Sequence, residues 1–476
     1  MKLNELTIKQ AIDGLRKKEF SALDLTESCL DQIARLNPLL NAFLTICNKE
    51  AINAAKQADE KLRIGDKSPL LGIPIALKDI YLTKNIRTTA SSKVLDNYIP
   101  QYDATVVKKL KDAGAIILGK LNCDAWAHGS SGENSDYGPV KNPYNVEYTP
   151  GGSSSGSAAS VAADMSIASG GTDTGGSIRL PAAFCNVVGL KPTYGRVSRN
   201  GIIAMSSSLD SIGHFTKTVE DSALYLNVTA GKDSFDATTP NLPVPDYSKN
   251  LNKSIKGTRI GIPKEFFTEG LDKKIKEKTM EAISFFEKQG AEIIDISLPH
   301  TDYAIAAYYI IQPAEVSSNL ARYDSIRYGN KRSYFGKEAK RRIMLGTFTL
   351  SAGYYDAYYK KAMKVRTLIK KDYEEAFKKV DAIITPVSPT LPWKLGEKIN
   401  DPLKMYLSDI FTVTANLAGI PGLSVPIGII GPSTSSEQAA LPVGMQILGP
   451  QFSEELLFNL GHQYEIGNPN KEKPQL

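Results

Sequence analysis

Hydrophobic positions recur on two periods along this chain, and the switches between them mark its elements. Over about residues 1–65 the period is helical. Leu25, Cys29, Ile33 and Leu36 fall on one face. They follow Ser21-Ala22-Leu23-Asp24, a capping residue with an acidic residue three places on. The run "GIPIALKDI" (72–80) is then apolar at nearly every position and predicts a buried strand. "DATVVKKLKDAG" predicts a helix closed by Gly114, and "AIILG" the next strand. Short apolar runs continue between helical stretches: "TRIGIP", "AEIIDISLP", "DAIITP", "LSVPIGII" and "LPVGMQILG". This alternation predicts an α/β fold, a large central mixed β-sheet covered by helices on both faces. One domain over 1–476 is expected, with a second, tyrosine-rich helical part at about 301–378. The Pro-, Asp- and Asn-rich stretch 231–256 reads as a surface excursion.

Composition narrows the class. Hydrophobic residues make up 42% and charged residues 23%, as in soluble globular proteins with a substantial core. The net charge of +6 is a mild excess. Its densest segment, "KKAMKVRTLIKK" (360–371), reads as a solvated helix face rather than a nucleic-acid patch. Cys29, Cys47, Cys123 and Cys185 form no C-x-x-C pair, which argues against a disulfide framework and a zinc site and fits a reducing compartment. The first twenty residues lack a continuous apolar core, and no run approaches the ~18–20 residues of a membrane span. A cytoplasmic protein without membrane contact or metal is expected.

The stretch "TPGGSSSGSAAS" (149–160) has the composition of a flexible spacer. A second glycine cluster follows it closely, "GGTDTGGSIRLPA" (170–182), which speaks against a linker. A phosphate-binding loop needs a lysine beside its glycines, and none lies between Lys141 and Lys191. The third reading is catalytic. Two glycines directly before Ser177 free the backbone N–H groups of Thr174, Gly175, Gly176 and Ser177 to converge on one point. That is what an oxyanion hole beside a serine nucleophile requires.

A serine nucleophile needs a base. Four histidines are available, and nothing in their contexts favours one; His128 is nearest in sequence. The alternative is a lysine kept neutral by burial. Lys78 ends an uncharged run on a predicted internal strand, so it is either such a base or a strand-end lysine reaching solvent. Ser153, Ser154 or Ser155 offers a hydroxyl relay between Lys78 and Ser177, because a hydroxyl accepts one proton while donating another.

"GIPIALKDIY", "PGGSSSGSA" and "GGTDTGGSIRLPA" together resemble the amidase signature family, whose members hydrolyse amides with a Ser-cis-Ser-Lys triad. The resemblance implies Ser177 as nucleophile, Ser153 as the cis-serine relay and Lys78 as base. "GSSGENSDYGPVKNP" (129–143), "AEVSSNLARYDSIRYG" (314–329), "KRRIMLGTFTLSAGYYDAYYKKAMKVRTLI" (340–369) and "SDIFTVTANLAGIPGLSVP" (408–426) resemble one branch of it. That branch comprises the glutamine-hydrolysing A subunits of glutamyl-tRNA(Gln) amidotransferases. The branch implies Arg342 for the substrate carboxylate, Asp409 for its ammonium and Tyr308 in the pocket wall. It further implies a heterotrimer with B and C subunits, tRNA(Gln) handled by the complex, no cofactor in this chain, and ATP with magnesium in the B subunit. A free-standing amidase for small amides is the alternative. The chain departs from the usual pattern at three places: Ser155 stands at a usual glycine, His128 at a usual apolar position, and 327–342 is short.

Overall fold

The structure is a computed structural model and describes residues 2–327, 329–431, 440–469 and 472–476. Among these residues eleven strands form one sheet. They are β1 (Phe43–Ile46), β2 (Pro74–Lys78), β3 (Ile116–Leu121), β4 (Ala168–Asp173), β5 (Val188–Lys191), β6 (Ser211–Thr216), β7 (Arg259–Pro263), β8 (Glu292–Ile296), β9 (Ala382–Pro386), β10 (Gly422–Ile430) and β11 (Leu441–Leu448). Their order is β1-β3-β2-β4-β6-β5-β10-β11-β9-β7-β8. The sheet is mixed: β2 runs parallel to β3 and β4, whereas β4 pairs antiparallel with β6.

Successive strand residues point to opposite faces, so a strand buried at every position is covered on both. β2, β3, β4, β5, β6, β9 and β11 are buried throughout. The edge strands β1 and β8 are the most open. The expected mixed sheet with helices on both faces is therefore the observed architecture.

Local expectations change or sharpen. The N-terminal part is helical over Ile8–Lys17, Ala22–Leu40 and Asn48–Arg63, with capping boxes at Thr7 and Ser21, but it also supplies β1 to the sheet edge. Gly114 does close the helix Thr105–Asp112: its φ is +89°, and a Cβ there would lie 2.7 Å from Leu71 Cα. The stretch 231–256 has neither helix nor strand and is anchored by buried Tyr247, Leu251 and Ile255. The tyrosine-rich part comprises the helices Ala304–Leu320, Lys337–Thr349 and Lys361–Ala376, with a π-turn at Tyr355–Lys360.

Neighbouring parallel strands end on the same side of a sheet, and ligand sites gather outside their carboxyl ends. Leu77 of β2 pairs with Gly170 of β4. Lys78 thus ends β2 beside the turn that leaves β4 at Asp173 and enters the short helix Arg179–Phe184. The helix Ser155–Ala162 begins directly after Ser153 and Ser154.

Candidate active site

Lys78 lies wholly inside the protein. Its Nζ donates to Ser153 Oγ at 2.8 Å, Ser154 Oγ at 2.9 Å and Thr172 Oγ1 at 3.0 Å. Among the described residues, every hydrogen-bond partner of the amine is thus a hydroxyl rather than a carboxylate. Burial lowers its pKa to about 8, against the pull of Cys123, Asp124, Asp210 and Asp173 nearby. The Gly152–Ser153 and Gly129–Ser130 peptide bonds are cis. Ser154 N–H donates to Ser177 O at 3.2 Å, which fixes the Ser177 backbone beside the hydroxyl cluster. Ser153 and Lys78 are fully buried, whereas Ser177 is 9% exposed. Of the three, only Ser177 is open to an incoming molecule, and its hydroxyl makes no hydrogen bond to a described residue.

The turn carrying Ser177 is built on Asp173. Its carboxylate accepts from the N–H groups of Gly176 (2.8 Å), Ile178 (3.2 Å) and Arg179 (3.4 Å). It also takes Arg179 Nε at 3.0 Å, Arg179 Nη2 at 3.1 Å and Asn416 Nδ2 at 3.0 Å. Burial alone would raise the Asp173 pKa; Arg179 outweighs it and holds the carboxyl near 2. This corrects the four-donor oxyanion hole read from sequence. The Gly176 N–H is already committed to Asp173, which leaves those of Thr174, Gly175 and Ser177. Gly176 instead serves by conformation, at φ +137°. Tyr308 lies against the same turn: a Cβ on Gly175 would lie 2.6 Å from its hydroxyl.

Arg342 and Asp409 are both buried and share one aromatic cluster. Arg342 donates from Nε to Glu338 at 2.8 Å, from Nη1 to Gln312 at 3.0 Å and from Nη2 to Gly129 O at 3.3 Å. Three of its five N–H groups are spent and two remain. Burial opposes its charge, but Glu338 and the surrounding tyrosines more than compensate and keep it a fixed cation. Asp409 accepts from Ser130 Oγ at 2.6 and 2.7 Å and from Tyr309 Oη at 2.9 Å. Burial raises its pKa to about 6. The Arg342 guanidinium lies 5.4 Å from the centre of the Tyr309 ring, and Tyr309 stacks on Tyr406 at 3.8 Å. Thr412 ties this cluster to the Ser177 turn: its Oγ1 donates to Gly175 O at 2.6 Å and to Asp409 O at 3.1 Å.

The departures from the usual pattern resolve differently. Ser155 takes no part in the Lys78 contacts; it packs against Gly132, where a Cβ would meet its own at 2.6 Å, and its buried Oγ has no partner among the described residues. Ser155→Ala is accordingly expected to leave stability unchanged or raise it by up to about 1 kcal/mol, since an unsatisfied buried hydroxyl is removed. Urea unfolding measures this, and a clear loss of stability would show that the hydroxyl is bonded. His128 is buried with no partner among the described residues on either ring nitrogen, and burial, with Arg342 beside it, holds the imidazole neutral. Arg342 is buried in the cluster although the segment before it is short.

Sequence reading passed over Thr172, Asp173, Arg179 and Asn416, and over Ser130, Tyr309, Gln312 and Glu338. A signal existed for one pair. Asp173 and Arg179 are opposite charges inside an otherwise small and apolar motif, and such charges are seldom buried unless paired.

A family model described as Amidase matches residues 24–458. The chain is 53% identical over 480 residues to the A subunit of the glutamyl-tRNA(Gln) amidotransferase of Geobacter metallireducens, with 98% of each chain covered. It is 52% identical over 490 residues to that of Thermoanaerobacter pseudethanolicus, covering 100% of this chain and 99% of the relative. The crystal structure of the corresponding A subunit from Thermotoga maritima matches with a TM-score of 0.82 at 42% identity, covering 100% of this chain and 97% of that one. The native peptide amidase from Stenotrophomonas maltophilia matches with a TM-score of 0.85 at 30% identity, over 99% and 98%. By motif, full-length similarity and fold alike, this chain belongs to the amidase family.

Proposed function

We propose that this chain is the glutamine-hydrolysing A subunit of a glutamyl-tRNA(Gln) amidotransferase. The observation that carries the reading is that buried Arg342 and Asp409 share Tyr309, with Asp409 tied through Thr412 to the Ser177 turn. Free glutamine presents one carboxylate and one ammonium, and a site for it needs one fixed cation and one fixed anion. An amidase for simple amides has no use for both. The amidotransferase relatives, similar over the whole chain, point the same way.

The proposed chemistry runs through hydroxyls. Neutral Lys78 takes a proton from Ser153, which takes one from Ser177; Ser177 Oγ attacks the side-chain amide carbon of glutamine. The oxyanion rests on the N–H groups of Thr174, Gly175 and Ser177. The charged Lys78 returns a proton through Ser153 to the departing ammonia, and water then releases glutamate from the acyl-enzyme. The ammonia passes to a B subunit, where ATP and magnesium activate the glutamate of Glu-tRNA(Gln), with a C subunit bridging the two. Catalytic contacts often tighten only when substrate is bound, so the open Ser177 hydroxyl fits a resting enzyme.

The pH profile tests the base. Deprotonated Lys78 is the active form, so kcat/KM for glutamine is expected to rise with pH and level off above about 8. A flat profile between about pH 7 and 9 would remove Lys78 as the titrating base. Arg342→Ala tests the substrate. Loss of a charged, two-pronged contact to carboxylate is expected to raise KM for glutamine roughly 30–100-fold, with a smaller effect on kcat. An unchanged KM would take Arg342 out of the site. A small-amide enzyme would show no preference for glutamine and no need of B and C subunits.

A further inference from the structure

The helix Lys337–Thr349 turns Ala339, Arg342, Gly346 and Thr349 inward, and at Gly346 the fit is so close that a Cβ would collide with Pro313 O. A helix that packs on one side normally presents polar residues on the other. This one presents Met344, Leu345 and Phe348, with Met344 72% and Phe348 51% exposed. The following turn adds Tyr354, Tyr355 and Tyr358, all of them exposed. Phe348 and Tyr354 lie 4.1 Å apart by ring centroid, and Tyr354 and Tyr358 5.9 Å, so the rings form a continuous row. Contiguous exposed apolar surface of this kind marks an interaction site. The surrounding charge is one-sided: apart from the buried Arg342 and the inward-bonded Arg366, residues 337–371 contain eight Lys and Arg against two Asp and Glu.

We propose that this face is the docking surface for a partner protein of the complex, taken by a segment that carries apolar side chains within an acidic surround. The proposal rests on the amidotransferase reading, which supplies such a partner. The apolar row fits the core of a protein interface and the basic surround its rim. Exposed aliphatic Met344 and Leu345, and rings already packed on one another, suit a protein segment better than nucleotide bases, which need free ring faces to stack on. The helix that follows this face, Lys361–Ala376, is tied to the Ser177 turn. Its Arg366 donates to Ser208 Oγ at 2.8 Å and Ser208 O at 2.9 Å. Asp210, two residues on, accepts from Thr174 Oγ1 at 2.7 Å.

The test uses the chain with separately purified B and C subunits. Two variants are made: F348S/Y354S/Y358S, and K360E/K361E/K364E. All changed positions point outward, so each variant is expected to keep the wild-type melting temperature within a few degrees. Each is expected to bind B and C at least about ten-fold more weakly, and wild-type binding is expected to weaken with added salt. Wild-type affinity in both variants would overturn the surface while leaving the amidotransferase reading intact. Failure of the wild-type chain to bind B and C would overturn both. Unchanged B and C binding with loss of tRNA binding by the assembled complex would overturn the protein partner in favour of RNA.

Discussion

Ser177→Ala is expected to abolish glutamine-dependent amidation, by about 10⁴-fold or more, and to leave amidation from added ammonium within about twofold of wild type. The asymmetry follows from the architecture. Of Lys78, Ser153 and Ser177 only Ser177 is open to solvent, so on the proposed mechanism the covalent step has no substitute if it is lost. Added ammonium, by contrast, would on the proposed function bypass the site and reach the partner directly. Lys78→Met is expected to behave alike, because Ser153, Ser154 and Thr172 would lose the amine they share. The double variant should be no worse than either single one, since nucleophile and base act as a unit. Reconstituted complex, assayed with glutamine and then with ammonium, measures all of this. Glutamine hydrolysis by Ser177→Ala at the wild-type rate would remove the nucleophile. Loss of the ammonium reaction as well would show instead that the turn holds the complex together.

The grouping of Lys78, Ser153 and Ser177 was legible because each sits in a local pattern: a lysine ending an apolar strand, and two glycine-serine clusters. β2 and β3 were legible for the same reason, as unbroken apolar runs. β4 was not. Its sequence, Ala-Ser-Gly-Gly-Thr-Asp, has neither alternation nor β-branched bulk, yet it lies in mid-sheet between β2 and β6. Its glycines admit close neighbours: a Cβ on Gly171 would lie 2.6 Å from the Phe215 ring. β1 was hidden by length, four residues shortly after a helix. The cluster of Arg342 and Asp409 was illegible for another reason. Ser130 and Asp409 meet across 279 residues, and Gly129 and Arg342 across 213. No local window contains such pairs; only the resemblance named Arg342 and Asp409, and it did not supply Ser130 or Tyr309. The donors of the Ser177 turn were half legible, because sequence shows which N–H groups are free to turn but not which of them a nearby carboxylate takes.

Arg179→Met is expected to be the most destabilising single change near the site. Arg179 is fully buried and spends its donors on Asp173, Gln446, Asn416 and Thr412 O. Removing it strands the Asp173 carboxylate in the interior, and breaking one side of a buried pair costs about 3–5 kcal/mol. The pH dependence separates this cause from lost packing. In the wild type, Asp173 titrates in the folded state near 2, below its ordinary value, so its contribution is present above about pH 4 and is lost as pH falls towards 2. Without Arg179, burial dominates and raises the folded pKa above the unfolded one. The sign then reverses: the variant is best tolerated when Asp173 is protonated and loses stability as pH rises. The stability gap between wild type and variant is therefore expected to widen from about pH 4 to about pH 7 in urea unfolding. A gap independent of pH would mean that the loss is packing alone. Arg179→Met/Asp173→Asn removes both charges and should recover part of the stability at about pH 7. Its glutaminase activity should stay low, because the carboxylate that held the Gly176, Ile178 and Arg179 N–H groups is gone and Ser177 rides on that turn.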